Sequence, residues 1–187
     1  MWSSASLHLI PPNSHIPPRM NLPALIRRSR TSGLSRWWMN ALLRWMIPFN
    51  QPHGFRVEPL RDGGITVHIP YWRINRNHIK GIHACALATA AEYCSGLALL
   101  EHLDAKTYRL IMKSLHMDYH YQAKANAHAV FAPSGEEIAT QVIGPLMNND
   151  AVLYTARVEL HDVKGNQLAT GLITWQVKAW EKVRTKA

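Results

Sequence analysis

No Asp or Glu occurs before Glu58, although the same 57 residues carry seven Arg. The formal charge of +9 is therefore lopsided, because the remaining 130 residues hold 14 basic and 12 acidic groups and form a nearly neutral body. A nucleic-acid binder spreads Lys and Arg over one folded face with aromatics between them, and the body shows no such stripe, so nucleic acid is not an expected partner. Cysteine is scarce as well. Cys85 and Cys94 lie nine apart on one helix, where ~100° per residue places them on opposite sides, so they cannot pair with each other and a reduced, cytoplasmic setting is expected. No stretch reaches the ~18–20 consecutive apolar residues of a membrane span, since His83, Glu92 and His102 interrupt the longest candidate. Internal repeats are missing, and so is the alternation of strand and helix that builds a parallel sheet, which disfavours a Rossmann-like arrangement.

Residues 77–103, NHIKGIHACALATAAEYCSGLALLEHL, organise the rest. A loop ending in Asn-His runs into about 20 mostly small or apolar residues, read as one long, almost wholly buried helix. Ala84, Cys85, Ala86, Ala88, Ala90, Ala91, Ser95, Gly96 and Ala98 are small on nearly every face, so neighbouring backbone can approach all round, as a curved sheet wrapping a helix requires. Amid the small and apolar residues of this run sits a carboxylate, Glu92. Burying a lone charge costs several kcal/mol or shifts its pKa, so Glu92 is the first functional candidate.

The first 19 residues contain two Pro-Pro pairs and no periodicity, which suggests disorder or an upstream start with Met20 as the true beginning. The Arg- and Ser-rich, acid-free residues 1–36 also suit an organellar transit peptide. Residues 1–34 are thus expected to be disordered or peripheral, with 35–187 forming a single domain preceded by an amphipathic helix. In that helix, residues 35–47, Arg36, Asn40 and Arg44 make one narrow polar stripe on an otherwise apolar surface bearing three Trp. The helix could pack on the domain, act as a lid over an acyl tunnel, or make a weak membrane-surface contact. From Phe55 the period becomes two: a hairpin with its turn at Asp62 and Gly63, then after the long helix a strand over 108–122, another in ANAHAVFAP, and a bulged or irregular sheet connection in EEIATQVIG. Two last strands are joined by VKGN, with Gly165 and Asn166 at the turn. His116, Asp118 and His120 share one strand face at a spacing that could hold a metal, but only three ligands are local, so a solvated face is the preferred account and no metal is expected.

One long helix embraced by a curved antiparallel sheet, an α+β architecture, is the hotdog arrangement. NHIKGIHACALATAAE resembles the motif of hotdog acyl-CoA thioesterases of the phenylacetyl-CoA thioesterase type, in which an Asn precedes His-Gly-Gly at the helix start and an acid follows on the helix. Asn77 matches the Asn, His83 the His, Ala84 and Cys85 the two Gly positions, and Glu92 the acid. The chain is more similar still to an uncharacterised bacterial branch of hotdog proteins with Asn-His in the loop and Glu on the helix. The closing hairpin VELHDVKGNQLATGLITW fits the same comparison, which covers roughly Pro48 to Trp180.

His83 and Glu92 are nine residues apart, about 13.5 Å along the helix and on opposite faces, so they cannot act together within one chain. Pairing two helices about a twofold axis would bring the start of one to Glu92 of the other, and the resemblance implies the same, so a homodimer or homotetramer is expected. The chemistry the resemblance implies is hydrolysis of an acyl-CoA or acyl-carrier-protein thioester without a cofactor. Glu92 would be general base or nucleophile, and Asn77 and His78 would orient the carbonyl or the water. Amides at the helix start, by His83, Ala84 and Cys85, would hold the oxyanion, while Arg73, Arg76 and Lys80 would meet the CoA phosphates. Ala84 and Cys85 in place of two Gly could crowd an approaching carbonyl. A non-catalytic acyl- or CoA-binding protein is the alternative, and a hydratase or dehydratase a third, disfavoured by the lack of a matching Asp-His pair. Cys85 itself reads as a small core residue or as an activated thiol beside His83.

Overall fold

The computed structural model describes residues 21–183. Two helices come first, α1 (Leu22–Ser29) and α2 (Gly33–Met46), with their starts capped by the side chains of Asn21 and Ser32. The hairpin follows as β1 (Arg56–Pro59) and β2 (Ile65–Ile69). Its turn places both Gly63 and Gly64 at positive φ, and a Cβ on Gly64 would meet Ala132 at 2.4 Å, so glycine is required there twice over. The long helix, α3 (Ala84–His102), leads to β3 (Tyr108–Tyr119), then β4 (Ala127–Phe131), β5 (Ala151–Asp162) and β6 (Gln167–Ala179).

All six strands form one antiparallel sheet in the order β1-β2-β4-β5-β6-β3. Since β2 and β3 sit near opposite edges, α3 must cross the sheet to join them. The crossing explains the small side chains: a Cβ on Gly96 would come within 3.1 Å of the Trp175 ring, and one on Gly171 within 3.3 Å of Ala91. Every residue from Tyr93 to Leu99 is buried. Complete burial of Leu97 or Leu99 contributes ~1.5–3 kcal/mol each, before the entropy of ordering them. The last hairpin turns as its sequence predicts. The Asp162 carboxylate accepts from the amides of Lys164 (2.8 Å) and Asn166 (2.9 Å) and from the Asn166 side chain, with Gly165 at positive φ.

Three expectations change. Of residues 1–34, the first 20 lie outside the described residues, but Leu22–Ser29 is helical and its Ile26 is fully buried in the core, while Arg30 forms a buried ion pair with Glu101 of α3. This part is built in because Ile26 and Ser29, three apart, point together at the core. The irregular sheet connection expected at EEIATQVIG is helical instead: α4 (Gly135–Ile138), a π-helical stretch (Ala139–Ile143) and α5 (Gly144–Leu146) run without a break. Ser134 caps it by accepting from the Glu137 amide, and two acids occupy the first turn, a helix-start pattern that outweighs the apparent period of two. Finally, α2 is turned the other way from a core helix. Asn40 bonds both the amide and the carbonyl of Val57 (2.7 and 2.9 Å), and Arg36 pairs with Glu58 at 2.6 Å, so these two members of the polar stripe face inward beside Met39 and Leu43, while Arg44 stays exposed. Trp37, Trp38 and Trp45 face outward. Among the described residues no helix is long and apolar enough to cross a membrane.

Candidate functional site

The loop entering α3 is held by a residue the sequence did not flag. Asn75 is wholly buried, donating through its amide to the carbonyls of His53 and Pro70 (2.9 Å each) and facing the His53 ring through its oxygen at 2.9 Å. Its own carbonyl accepts from the His83 amide at 2.7 Å, which fixes where the helix begins. Nothing in the order Ile-Asn-Arg-Asn distinguishes this buried Asn from its neighbour Asn77. Asn77 shapes the turn that follows: its side-chain oxygen accepts from the amides of Ile79 (3.2 Å) and Gly81 (2.9 Å), with Lys80 in the left-handed region at φ 62° and its carbonyl bonded by the Tyr71 hydroxyl. The carbonyl oxygen of Asn77 is thus engaged, and only its NH2 remains to donate outward.

This turn gathers Arg73, Arg76, Asn77, His78 and Lys80 around one open, shallow pocket. The Arg76 guanidinium stands over the Tyr71 ring, 5.1 Å from its centre. Three cations and a histidine with one shared opening suit an anion. At the helix start, the His83 side chain accepts the Cys85 amide at 3.1 Å, and Ala86 and Leu87 donate to the His83 carbonyl. The expectation of free amides at both Ala84 and Cys85 is corrected accordingly. A cap-position His with an acceptor nitrogen takes the nearest donor, leaving the Ala84 N–H without an acceptor among the described residues.

Glu92 lies further along α3, outside that pocket. It is half-buried; its backbone carbonyl accepts from the Ser95 hydroxyl at 3.0 Å, but its carboxylate makes no hydrogen bond or ion pair among the described residues, and removal from water raises its carboxyl above the ordinary 4.5. Its surroundings on the helix are informative. Cys85, Ala88 and Thr89 precede it by seven, four and three residues, so they share its side, and these four form an incompletely covered stripe; apart from Ala84 at the start and Leu100 and His102 in the last turn, the rest of the helix is buried. Sequence reasoning missed Thr89, which a helical projection from Glu92 would have found. Cys85 is exposed rather than a core residue, and Cys94 is buried with its thiol pushed up by burial; both are free. Beside the helix start, the Tyr119 hydroxyl donates to the Ala84 carbonyl at 3.1 Å, so the end of β3 borders the same region.

His116, Asp118 and His120 are all exposed. His116 lies 3.3 Å from Asp118, whereas His120 contacts the Thr170 hydroxyl at 3.1 Å, and no group of three such side chains among the described residues is arranged to hold a metal.

A long helix crossing an antiparallel sheet of this order is the hotdog fold, and the similar proteins place it in a thioesterase-like class. The chain belongs to the family described as a domain of unknown function, DUF4442, whose model matches residues 35–177. Among solved structures it is similar to a Pseudomonas aeruginosa protein of unknown function described as a probable thioesterase, with 25% identity and a TM-score of 0.69 over 75% of this chain and 93% of that one. It shares its fold with a Chlorobaculum tepidum protein of unknown function (13% identity, TM-score 0.66, covering 81% and 98%). The same holds for a Pseudomonas aeruginosa thioesterase solved as a point mutant (14% identity, TM-score 0.59, covering 75% and 94%). No curated protein matches the chain.

Proposed function

We propose that the protein hydrolyses an acyl-CoA or acyl-carrier-protein thioester at a site shared by two copies of the chain. The observation that carries this reading is Glu92: a half-buried carboxylate with no partner among the described residues, on a stripe of α3 that the sheet leaves incompletely covered. A structural acid at that depth would be paired, because an unpaired one destabilises the fold. Pairing of two such stripes, through small Ala88 and Cys85, would set Glu92 of one copy near the helix start of the other. The long edge strand β3, with Ile111 and Met112 exposed, offers the backbone along which two sheets would join.

In this site the Glu92 carboxylate takes a proton from water as the water oxygen bonds to the thioester carbon. The carbonyl oxygen gathers negative charge against the Ala84 N–H and the positive end of α3. The C–S bond then breaks, the protonated Glu92 returns its proton to the departing thiolate, and a carboxylic acid and a free thiol leave. Asn77 NH2 and His78 orient the carbonyl or the water, Thr89 sits within one turn of the base, and Arg73, Arg76 and Lys80 take the phosphates of the thiol carrier.

A second reading, a non-catalytic acyl- or CoA-binding protein, is favoured by one specific feature: the His83 ring occupies the Cys85 amide, and neither Ala84 nor Cys85 is the small Gly that lets a carbonyl reach backbone closely. Thiol release from short, long and aromatic acyl-CoAs by the wild type and by Glu92→Gln distinguishes the two. Turnover lost in the variant supports hydrolysis through Glu92. Saturable CoA binding with no turnover by a folded, dimeric wild type selects the binding reading.

A further inference from the structure

The surface of α2 is independent of that site and has the opposite construction to a packed helix. Its inward side is polar, with Asn40 on the Val57 backbone and Arg36 on Glu58. Its outward side carries Leu34, Trp37, Trp38, Ala41 and Trp45, with Trp37 60% and Trp38 59% exposed and their rings in edge-to-face contact 4.9 Å apart. Phe49, just past the helix, is exposed as well. Water does not drive this arrangement, since each exposed Trp could bury ~150–250 Å² against a suitable neighbour.

The charge beside this face has one sign. Residues 21–57 contain Arg27, Arg28, Arg30, Arg36, Arg44 and Arg56 and no acid. Arg30 and Arg36 are spent on Glu101 and Glu58, whereas Arg27, Arg28, Arg44 and Arg56 make no ion pair among the described residues. Arg44 follows Trp37 by seven residues and so lies in the same row of the helix surface. An open groove of about 920 Å³ runs along that row and brings Arg36, Arg44 and Arg56 together with Trp37 and Trp72. Indole rings and aliphatic side chains flanked by arginines that outnumber the one nearby acid, Glu58, match the boundary between acyl chains and anionic headgroups, where Trp is amphipathic and Arg meets phosphate.

We propose that the outer face of α2 and its adjoining groove bind the surface of an anionic lipid bilayer, with Leu34, Trp37 and Trp38 entering the headgroup–acyl boundary and Arg44 and Arg56 holding lipid phosphates. The helix lies flat: its 14 residues extend about 21 Å, and the polar side that would oppose insertion is already satisfied by the protein. The sheet stays above the membrane.

The test uses the full chain and sedimentation with vesicles of phosphatidylcholine alone or mixed with phosphatidylglycerol, some carrying brominated acyl chains that quench tryptophan. The expected result is binding to the phosphatidylglycerol vesicles at least about tenfold stronger than to phosphatidylcholine, with emission quenched by bromine. Trp37→Ser/Trp38→Ser should remove most of that quenching and weaken binding about tenfold or more, and Arg44→Gln or Arg56→Gln should each weaken it about fivefold only on the anionic vesicles. Circular dichroism of each variant checks the fold. The proposal is overturned by no binding to anionic vesicles, or by binding that both sets of variants leave unchanged. It is also overturned if acrylamide cannot reach Trp37 and Trp38 in the lipid-free chain while its mass doubles, meaning that a second copy covers the face. The same shielding with an unchanged mass assigns the cover to residues 1–20. Equal, salt-sensitive binding to soluble polyglutamate without bromine quenching replaces the lipid with an acidic protein.

Discussion

Helices α2 and α3 break the ordinary pattern of apolar inside and polar outside in opposite directions. In α3 most residues are apolar and buried, and of its two acids Glu101 is paired with Arg30 while Glu92 is left half-covered and unpaired on a stripe of small residues. In α2 the polar groups are inside, hydrogen-bonded to β1, and the aromatic groups are outside. The two exceptions have different physical meanings. An unpaired half-buried carboxylate weakens the fold, whereas exposed Trp leaves the fold unaffected but attracts other surfaces. The comparison therefore separates a place built for chemistry from a place built for contact.

The largest effect that would break this contrast is on turnover. Glu92→Gln should lower thioester hydrolysis by about 10²–10⁴-fold, and retained activity would remove Glu92 from the chemistry. The same substitution should leave folding intact or strengthen it, raising the Tm by about 1–3 °C. The sign follows from the raised carboxyl: the folded state resists ionisation more than the unfolded chain, so stability is lost as pH rises through the folded pKa, and Gln removes that loss. A general base must be ionised, so activity should fall on acidification, with a midpoint above 4.5 that the Gln variant lacks.

Next in size is the open stripe itself. In the proposed dimer Ala88→Arg puts a charge between the two paired helices, and gel filtration with light scattering should find a dimer for the wild type and a monomer for the variant. A dimer that survives the change would place the interface elsewhere. Smaller again is the inverted packing of α2. Asn40→Ala leaves the Val57 amide and carbonyl without their partner and should cost about 1–3 kcal/mol in urea unfolding. Smallest of all, Trp38→Ser should change stability by no more than about 0.5 kcal/mol, since its ring stands mostly in solvent. A loss of several kcal/mol there would mean that the outer face of α2 does support the fold.

Much of the architecture was legible because it rests on local rules. The run of small residues from Ala84 to Ala98 marks a helix that other backbone must approach, and Gly96 against Trp175 shows the approach. Alternation gave the strands, and Gly165 with Asn166 the closing turn. Local rules also misled. EEIATQVIG alternates well enough to suggest sheet, yet the Ser134 cap and the acids after it start a helix. At the site, the motif drew attention to Asn77, His83 and Glu92, and the cationic turn came together as one pocket. Asn75 and Thr89 went unnoticed for different reasons. The importance of Asn75 comes from His53 and Pro70, contacts that no spacing encodes, while Thr89 matters only through the side of the helix it shares with Glu92.

By itself the sequence determined the long helix and most of the strands, the lopsided placement of charge, and the presence of Glu92 among the small and apolar residues of that helix. Those follow from the period of apolar side chains and from turn chemistry, which act over a few residues. Tertiary structure alone decided which way each helix turned its exceptions. The same stripe of Arg36, Asn40 and Arg44 could face water or protein; Arg36 and Asn40 face protein because β1 presents a backbone amide and carbonyl at Val57 and a carboxylate at Glu58, while Arg44, which meets no such group, stays exposed. It also decided that the Glu92 carboxylate meets no partner among the described residues, since what lies beside that side of α3 is set by how the helix crosses the sheet.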